Sequence, residues 1–343
     1  MTGATVAMPV GARLDDSLGR PLRDLRISVT DRCNFRCPYC MPRSHFGAGH
    51  RFLPSTSALT ADEIVRLASV FLSLGVTKIR LTGGEPLLRG DLVDIVAGVA
   101  GLGVPDLALT TNGALLRRRA PELRAAGLQR VTVSLDSLHQ DVFAAMSDVN
   151  VPVDDVLDGI RAARDAGLSP VKVNCVVRRG VNEDGIVELA EFARRERLTV
   201  RFIEYMDVGT SNGWRLDDVV TGEQMLERLG ARYALEELPA QAGAVARNYR
   251  FADGGEIGFI MSVSRPFCGD CTRARLGADG RLFTCLFAAD GLDLRAPLRA
   301  GVNDAELRRV VSARWGVRDD RYSELRALPT HPTQHVEMSY IGG

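Results

Sequence analysis

Between about residues 25 and 206, short apolar-rich runs alternate with helical patterns. The alternation predicts strands at 25–30, 76–82, 107–111, 130–135, 171–177 and 199–206. Six strand–helix units in succession argue for a parallel sheet. Thr60-x-x-Glu63 is a capping box that opens a helix running to about Leu74, and helices at 91–101, 114–126, 153–166 and 184–196 complete the crossovers. Along the strands one face is apolar: Leu25, Ile27, Val29, Ile79, Leu81, Val131, Val133, Leu135, Val171 and Val173. The alternate positions carry Arg26, Ser28, Thr30, Lys78, Arg80, Thr82, Thr110, Thr132, Ser134, Asp136, Lys172 and Asn174. Helices must cover the apolar side, so the polar side has to line an interior. Six strands curved around it make an incomplete barrel. A closed eight-stranded barrel fills its interior with branched apolar side chains, whereas this interior suits a large polar ligand.

Past residue 215 the pattern changes to a short helix at 222–229, strands at 247–252 and 257–263, a cysteine-bearing segment and a helix at 303–315. The expected organisation is an N-terminal arm (1–20), a partial barrel (21–215) and a smaller α+β C-terminal region (216–343), with the boundary near 212–220. The tail, THPTQHVEMSYIGG, is polar, and by composition alone its Gly342-Gly343 end reads as a frayed terminus.

Two cysteine constellations carry the chemistry. Cys33-x3-Cys37-x2-Cys40 offers three thiolates and no obvious fourth, with Tyr39 just before the last. A structural zinc site closes its tetrahedron with four protein ligands, whereas three cysteines on a cubane iron–sulfur cluster leave one iron open. A zinc knuckle completed by His45 or His50 is the alternative, and its spacings fit zinc patterns poorly. Cys268-x2-Cys271 with Cys285 is a second set of three, either zinc with a distant histidine or a second cluster whose open iron binds substrate. Cys175, the one cysteine left over, falls on the apolar register of its strand and reads as a core thiol.

The remaining signals concern the ligand. Thr82-Gly83-Gly84-Glu85-Pro86 follows the second strand, at the edge where parallel α/β folds bind ligands and where glycines let backbone approach closely. Arg273 and Arg275 project on one side if their segment is extended, and guanidinium forks suit phosphates. With Arg26, Arg80 and Lys172 they place positive charge around one cavity, in a chain whose 43 basic and 43 acidic residues cancel. That concentration fits a triphosphate. Zero net charge leaves no global field to attract nucleic acid or an anionic membrane, and the absence of a long apolar run argues against a membrane span or export signal. The cytoplasm is therefore the expected compartment, and clustered thiols in a reducing compartment are more often metal ligands than disulfides. The chain has only two lysines, Lys78 and Lys172, both in predicted strands, where a compact ammonium would fit and a planar fork would not.

The first triad with its Tyr39 resembles the signature of the radical S-adenosylmethionine (SAM) superfamily. That triad, GGEP, the run Cys-x2-Cys-Thr-Arg-Ala-Arg with its later cysteine, and the terminal Gly-Gly together resemble the GTP 3′,8-cyclase family of molybdenum cofactor biosynthesis, from about Leu22 to Gly343. The resemblance implies a radical SAM partial barrel with two 4Fe–4S clusters, the first on Cys33, Cys37 and Cys40, the second on Cys268, Cys271 and Cys285. It implies SAM contacts at Tyr39, Gly84, Ser134 and Met206. GTP contacts would fall on Arg26, Arg80, Thr110, Lys172 and the Arg273–Ala274–Arg275 segment, with Gly342 and Gly343 entering the active site. It further implies an electron donor of flavodoxin or ferredoxin type, a downstream cyclic pyranopterin monophosphate synthase, and a homodimer as a candidate assembly. A peptide-modifying radical SAM enzyme with an auxiliary cluster and a zinc-binding module are the rival readings.

Overall fold

The computed structural model describes residues 13–240, 243–326 and 335–342. Its frame is a sheet of twelve strands: β1 (Asp24–Ser28), β2 (Lys78–Thr82), β3 (Asp106–Thr111), β4 (Arg130–Ser134), β5 (Val171–Val177), β6 (Thr199–Glu204), β7 (Leu235–Glu237), β8 (Arg247–Phe251), β9 (Glu256–Ile260), β10 (Arg273–Leu276), β11 (Arg281–Phe283) and β12 (Leu292–Asp293). Strands β1 to β6 pair in chain order and parallel. The sheet then grows at both ends. β10 joins β1 in parallel and β9 joins β6 in parallel, so eight parallel strands stand side by side. Antiparallel ribbons finish the edges, β11–β12 beyond β10 and β8–β7 beyond β9, and the sheet stays open between β12 and β7. This is the incomplete α/β barrel, with the C-terminal region extending its wall.

The outer face is covered as the apolar register requires. Leu25, Ile27, Ile79, Leu81, Val131, Val133 and Val173 are at most 1% exposed and share a core with the helices. The capping box is present at Ala61–Ser73, Thr60 receiving the Glu63 N–H and Glu63 the Thr60 N–H, and that helix buries Ile64, Leu67, Ala68, Val70 and Phe71. Helices Leu92–Gly101, Leu116–Ala125, Val153–Asp165 and Ile186–Arg195 match the predicted crossovers. A helix at Gln140–Ser147 was not legible in the sequence, being only two turns long.

The tail departs from its composition. Met338–Ile341 forms a helical turn with Ser339 and Ile341 buried, and a Cβ on Gly342 would stand 2.3 Å from Thr82 Cγ2 and 3.0 Å from Ser28 Oγ. It docks inside the barrel wall and does not fray, because Arg275 donates to the Gly342 carbonyl. Gly343 lies outside the described residues.

Candidate functional site

Strand pairing decides where the charges go. Arg26 pairs with Arg275 on one side and Arg80 on the other, so three arginines occupy one row across β10, β1 and β2. The same interior face continues through Thr110 and Thr132, then Ser134, Asn174 and Arg201, also matched in register. Like charges directly opposite one another on neighbouring strands are destabilising. Arg80 and Arg275 are buried, and Arg26, Arg201 and Arg273 partly so. Burial lowers the Arg26 pKa to about 10, with Arg273 and Arg201 pushing the same way. Burial and then Arg26 depress both Arg80 and Arg275, and burial and Arg130 depress Arg201. Among the described residues none of these five guanidiniums has a carboxylate partner. Arg80 is oriented by Thr110 Oγ1 at 2.8 Å and Thr132 Oγ1 at 3.1 Å.

The loop after β1 carries the first triad. Cys40 and Met41 N–H groups both donate to the Cys37 carbonyl, forming a tight turn. Arg36 ties the loop by donating to the carbonyls of Cys33 and Phe35, each at 2.7 Å, and of Phe46 at 2.9 Å. The Phe35 N–H points at Cys33 Sγ, 3.4 Å away. Tyr39 donates its phenol proton to Asp136 Oδ2 at 2.7 Å, while the other Asp136 oxygen takes the Val176 N–H. Burial raises Asp136 to about 6 against these two donors.

The GGEP turn is packed against that loop. A Cβ on Gly83, whose φ is +143°, would lie 2.3 Å from the Thr30 carbonyl, and one on Gly84 would lie 2.3 Å from the Arg32 carbonyl. Glu85, 1% exposed, accepts from the Leu87 and Asn112 N–H groups and from Thr111 Oγ1, which fixes the turn to the end of β3. Burial raises its pKa to about 7 in spite of those bonds.

The second triad is assembled by a hairpin. Cys268 begins a short 3-10 turn, Cys271 precedes β10, and the antiparallel register that matches Arg275 with Phe283 brings Cys285 back beside Cys271. The Cys271 sulfur accepts from Arg273 at 3.3 Å and the Cys285 sulfur from the Phe287 N–H at 3.4 Å. Burial would raise Cys271, but Arg273 and Arg318 prevail and hold it at about 6. Burial pushes Cys33 and Cys285 up to about 12.

One cavity unites these parts. Its lining includes all six triad cysteines, Tyr39, Gly84, Ser134 and Met206, and the arginines 26, 80, 201, 273 and 275. Asn174 Oδ1, Arg201 Nε and Ser262 Oγ, on lining residues, are buried without hydrogen-bond partners. Unpaired buried polar atoms are costly, so the wall awaits a polar ligand. The donor sets fit iron–sulfur clusters, since each triad is of free cysteines with N–H groups aimed at its sulfurs. Among the described residues no three His, Cys, Asp or Glu side chains converge as a single ion requires.

Ala274 and Lys172 are not among the lining residues of this cavity. Ala274 is fully buried in the apolar core between its two arginines. Lys172 sits on the interior register but does not line the cavity; burial, with Arg201 and Arg130, lowers it to about 8. Arg201 was overlooked in the sequence, although the alternation of TVRFIE puts it on the polar register.

Comparison with known proteins gives two successive family matches. Residues 27–193 match the radical SAM superfamily and 198–324 match Molybdenum Cofactor Synthesis C. The GTP 3′,8-cyclase of Acidothermus cellulolyticus is 53% identical over 356 residues, covering 96% of this chain and 98% of that protein. Those of Xanthomonas axonopodis pv. citri (51%; 97% and 99% covered) and Staphylococcus aureus (46%; 96% and 99%) are also similar. Streptococcus suis SuiB bound to S-adenosylmethionine shares the fold, with a TM-score of 0.59 at 16% identity over 90% of this chain and 69% of that one.

Proposed function

The chain belongs to the GTP 3′,8-cyclase family of radical SAM enzymes, and from that premise we propose how its cavity divides the work. The enzyme joins C3′ of GTP to C8 of its guanine, using SAM and two 4Fe–4S clusters, as a step of molybdenum cofactor biosynthesis. We assign the first cluster to Cys33, Cys37 and Cys40, the second to Cys268, Cys271 and Cys285, and SAM to Tyr39, Gly84, Ser134 and Met206. Bound there, SAM would supply, on one-electron reduction through the first cluster, the radical chemistry needed to remove the C3′ hydrogen of GTP.

The chain's own residues then have three tasks. The row Arg275–Arg26–Arg80, with Arg201 and Arg273, holds the triphosphate by charge-assisted hydrogen bonds. Thr110 keeps Arg80 pointed, and Lys172 adds charge on the same face. Gly342, held by Arg275, closes the wall beside Thr82. Both reacting atoms belong to one nucleotide, so restricting its rotation removes most of the entropic barrier to ring closure. The proposal extends to a flavodoxin or ferredoxin as reductant, a downstream cyclic pyranopterin monophosphate synthase, a homodimeric assembly and a cytoplasmic site. No helix among the described residues is long and apolar enough to cross a membrane.

The observation that carries this reading is the uncompensated arginine row set between two cysteine triads in one cavity. Anaerobic turnover tests it. Formation of 5′-deoxyadenosine should require GTP and should collapse in Arg26→Gln and Arg80→Gln. GTP-independent formation would overturn it in favour of a peptide-type substrate.

A further inference from the structure

Three side chains outside the cavity meet behind the second triad. Asp16, Arg20 and Arg318 are 6%, 3% and 3% exposed. One oxygen, Asp16 Oδ2, receives Arg20 Nε at 2.6 Å and Arg318 Nη1 at 2.8 Å. Both guanidiniums also donate to backbone carbonyls. Arg20 Nη1 donates to the Cys268 carbonyl at 2.8 Å and the Asp320 carbonyl at 2.7 Å. Arg318 donates to the Cys271 carbonyl at 2.8 Å and, through Nε, to that of Thr284 at 3.0 Å, the residue before Cys285. Every cysteine of the second triad is therefore held at its own or its neighbour's carbonyl, and a single carboxylate ties the two holders together. Trp315 completes the unit, its ring 4.5 Å under the Arg318 guanidinium and its Nε1 donating to the Arg20 carbonyl.

Such an arrangement is poorly explained by stability alone. Buried ion pairs are often replaceable by packed apolar side chains at no loss, because desolvation offsets their attraction. Arg20 Nη2 is even left buried without a partner. The first triad manages with one arginine from its own loop, Arg36. The second has cysteines in separate segments, with a hairpin between Cys271 and Cys285, and recruits holders from both ends of the chain.

We propose that Asp16, Arg20 and Arg318 form a brace that sets the spacing of Cys268, Cys271 and Cys285 for the second cluster and places a buried charge network, which Asp320 joins through Arg318, behind it. They are positioning residues, and the inference rests on the second triad holding a cluster.

The test uses the full chain, reconstituted anaerobically, in a Cys33→Ala/Cys37→Ala/Cys40→Ala background that leaves only the second site. Arg318→Lys keeps the charge and loses the fork. It should at least halve the iron and sulfide retained and change the electron paramagnetic resonance line shape after reduction. Arg318→Gln and Asp16→Asn change the charge in opposite senses, so the midpoint potential should fall in the first and rise in the second. A merely structural role would lower melting temperature in both and move the potential in neither. Wild-type iron, line shape and potential in all three variants would overturn the brace. Should Asp16→Asn not fold, Arg20→Lys carries the iron and line-shape readout. The underlying cluster reading fails separately, if the unmutated chain binds about four irons where two clusters require about eight.

Discussion

Gly84→Ala places a methyl carbon 2.3 Å from the Arg32 carbonyl oxygen, 2.6 Å from its carbon and 3.0 Å from the Asp31 oxygen, all backbone atoms. Relief requires the two segments to part by about 1 Å, given the ordinary contact distance of about 3.5 Å. Two hydrogen bonds resist, Gly84 N–H to the Thr30 carbonyl at 2.8 Å and Glu85 N–H to Arg32 at 2.7 Å. Losing one of them costs about 1 kcal/mol, and overpacking a rigid contact adds about 1–3 kcal/mol, so the substitution should cost about 2–4 kcal/mol. The displaced carbonyl belongs to the residue before Cys33, so the strain reaches the first triad directly. Iron and sulfide analysis after anaerobic reconstitution, with SAM titration and melting curves, reads the effect. First-cluster iron and SAM affinity should fall together, while Gly90→Ala, whose Cβ meets nothing within 4 Å, should match the parent. Parental iron and SAM affinity in Gly84→Ala would refute the close-approach argument.

Three further outcomes are expected. Lys172, lowered by burial to about 8 from an ordinary 10.5, loses its proton in the free enzyme as pH rises through 8. If it meets the triphosphate, GTP affinity measured by calorimetry should drop about tenfold per pH unit above 8, and a flat profile to pH 9.5 would remove it from the site. The depressed value also means that its contribution to stability is present above 10.5 and lost as pH falls through 8, which GTP should reverse. Gly342→Ala, at φ +72° and facing Thr82 Cγ2 at 2.3 Å, should expel the tail and cut cyclisation by about tenfold or more with both clusters and SAM binding intact; undiminished turnover would leave the tail without a role. Arg201→Gln removes a repelled cation, so melting temperature should rise while GTP binding weakens about tenfold or more, the worth of one charge-assisted hydrogen bond. A lower melting temperature with unchanged affinity would contradict the repulsion described above.

The polar face of the barrel was legible because strand periodicity is local. Arg26, Arg80, Thr110, Thr132, Ser134 and Asn174 all occupy the interior that their alternation predicted. What sequence could not supply was pairing between distant segments. β10 to β12 are two to four residues long, too short for a period to show, yet β10 completes the arginine row by lying against β1. The tail was misread by composition because its docking depends on Arg275 and Thr82, far away in the chain. Asp16 and Arg318 gave no signal for the same reason.

The distribution of paired and unpaired cations on the interior face says where the anion belongs. At the strand starts the charges are compensated: Lys78 meets Asp24 at 2.9 Å and Arg130 meets Asp106 at 2.6 Å. Further along their strands, Arg26, Arg80, Arg201 and Arg275 have no acidic partner among the described residues, and neither has Arg273 at the start of β10. A chain with 43 acidic residues to match its 43 basic ones had carboxylates enough to neutralise these positions. Leaving them bare costs stability, since buried like charges repel and desolvation is unrecovered. That cost is regained only when a multiply charged ligand binds, so the bare guanidiniums mark the phosphate site.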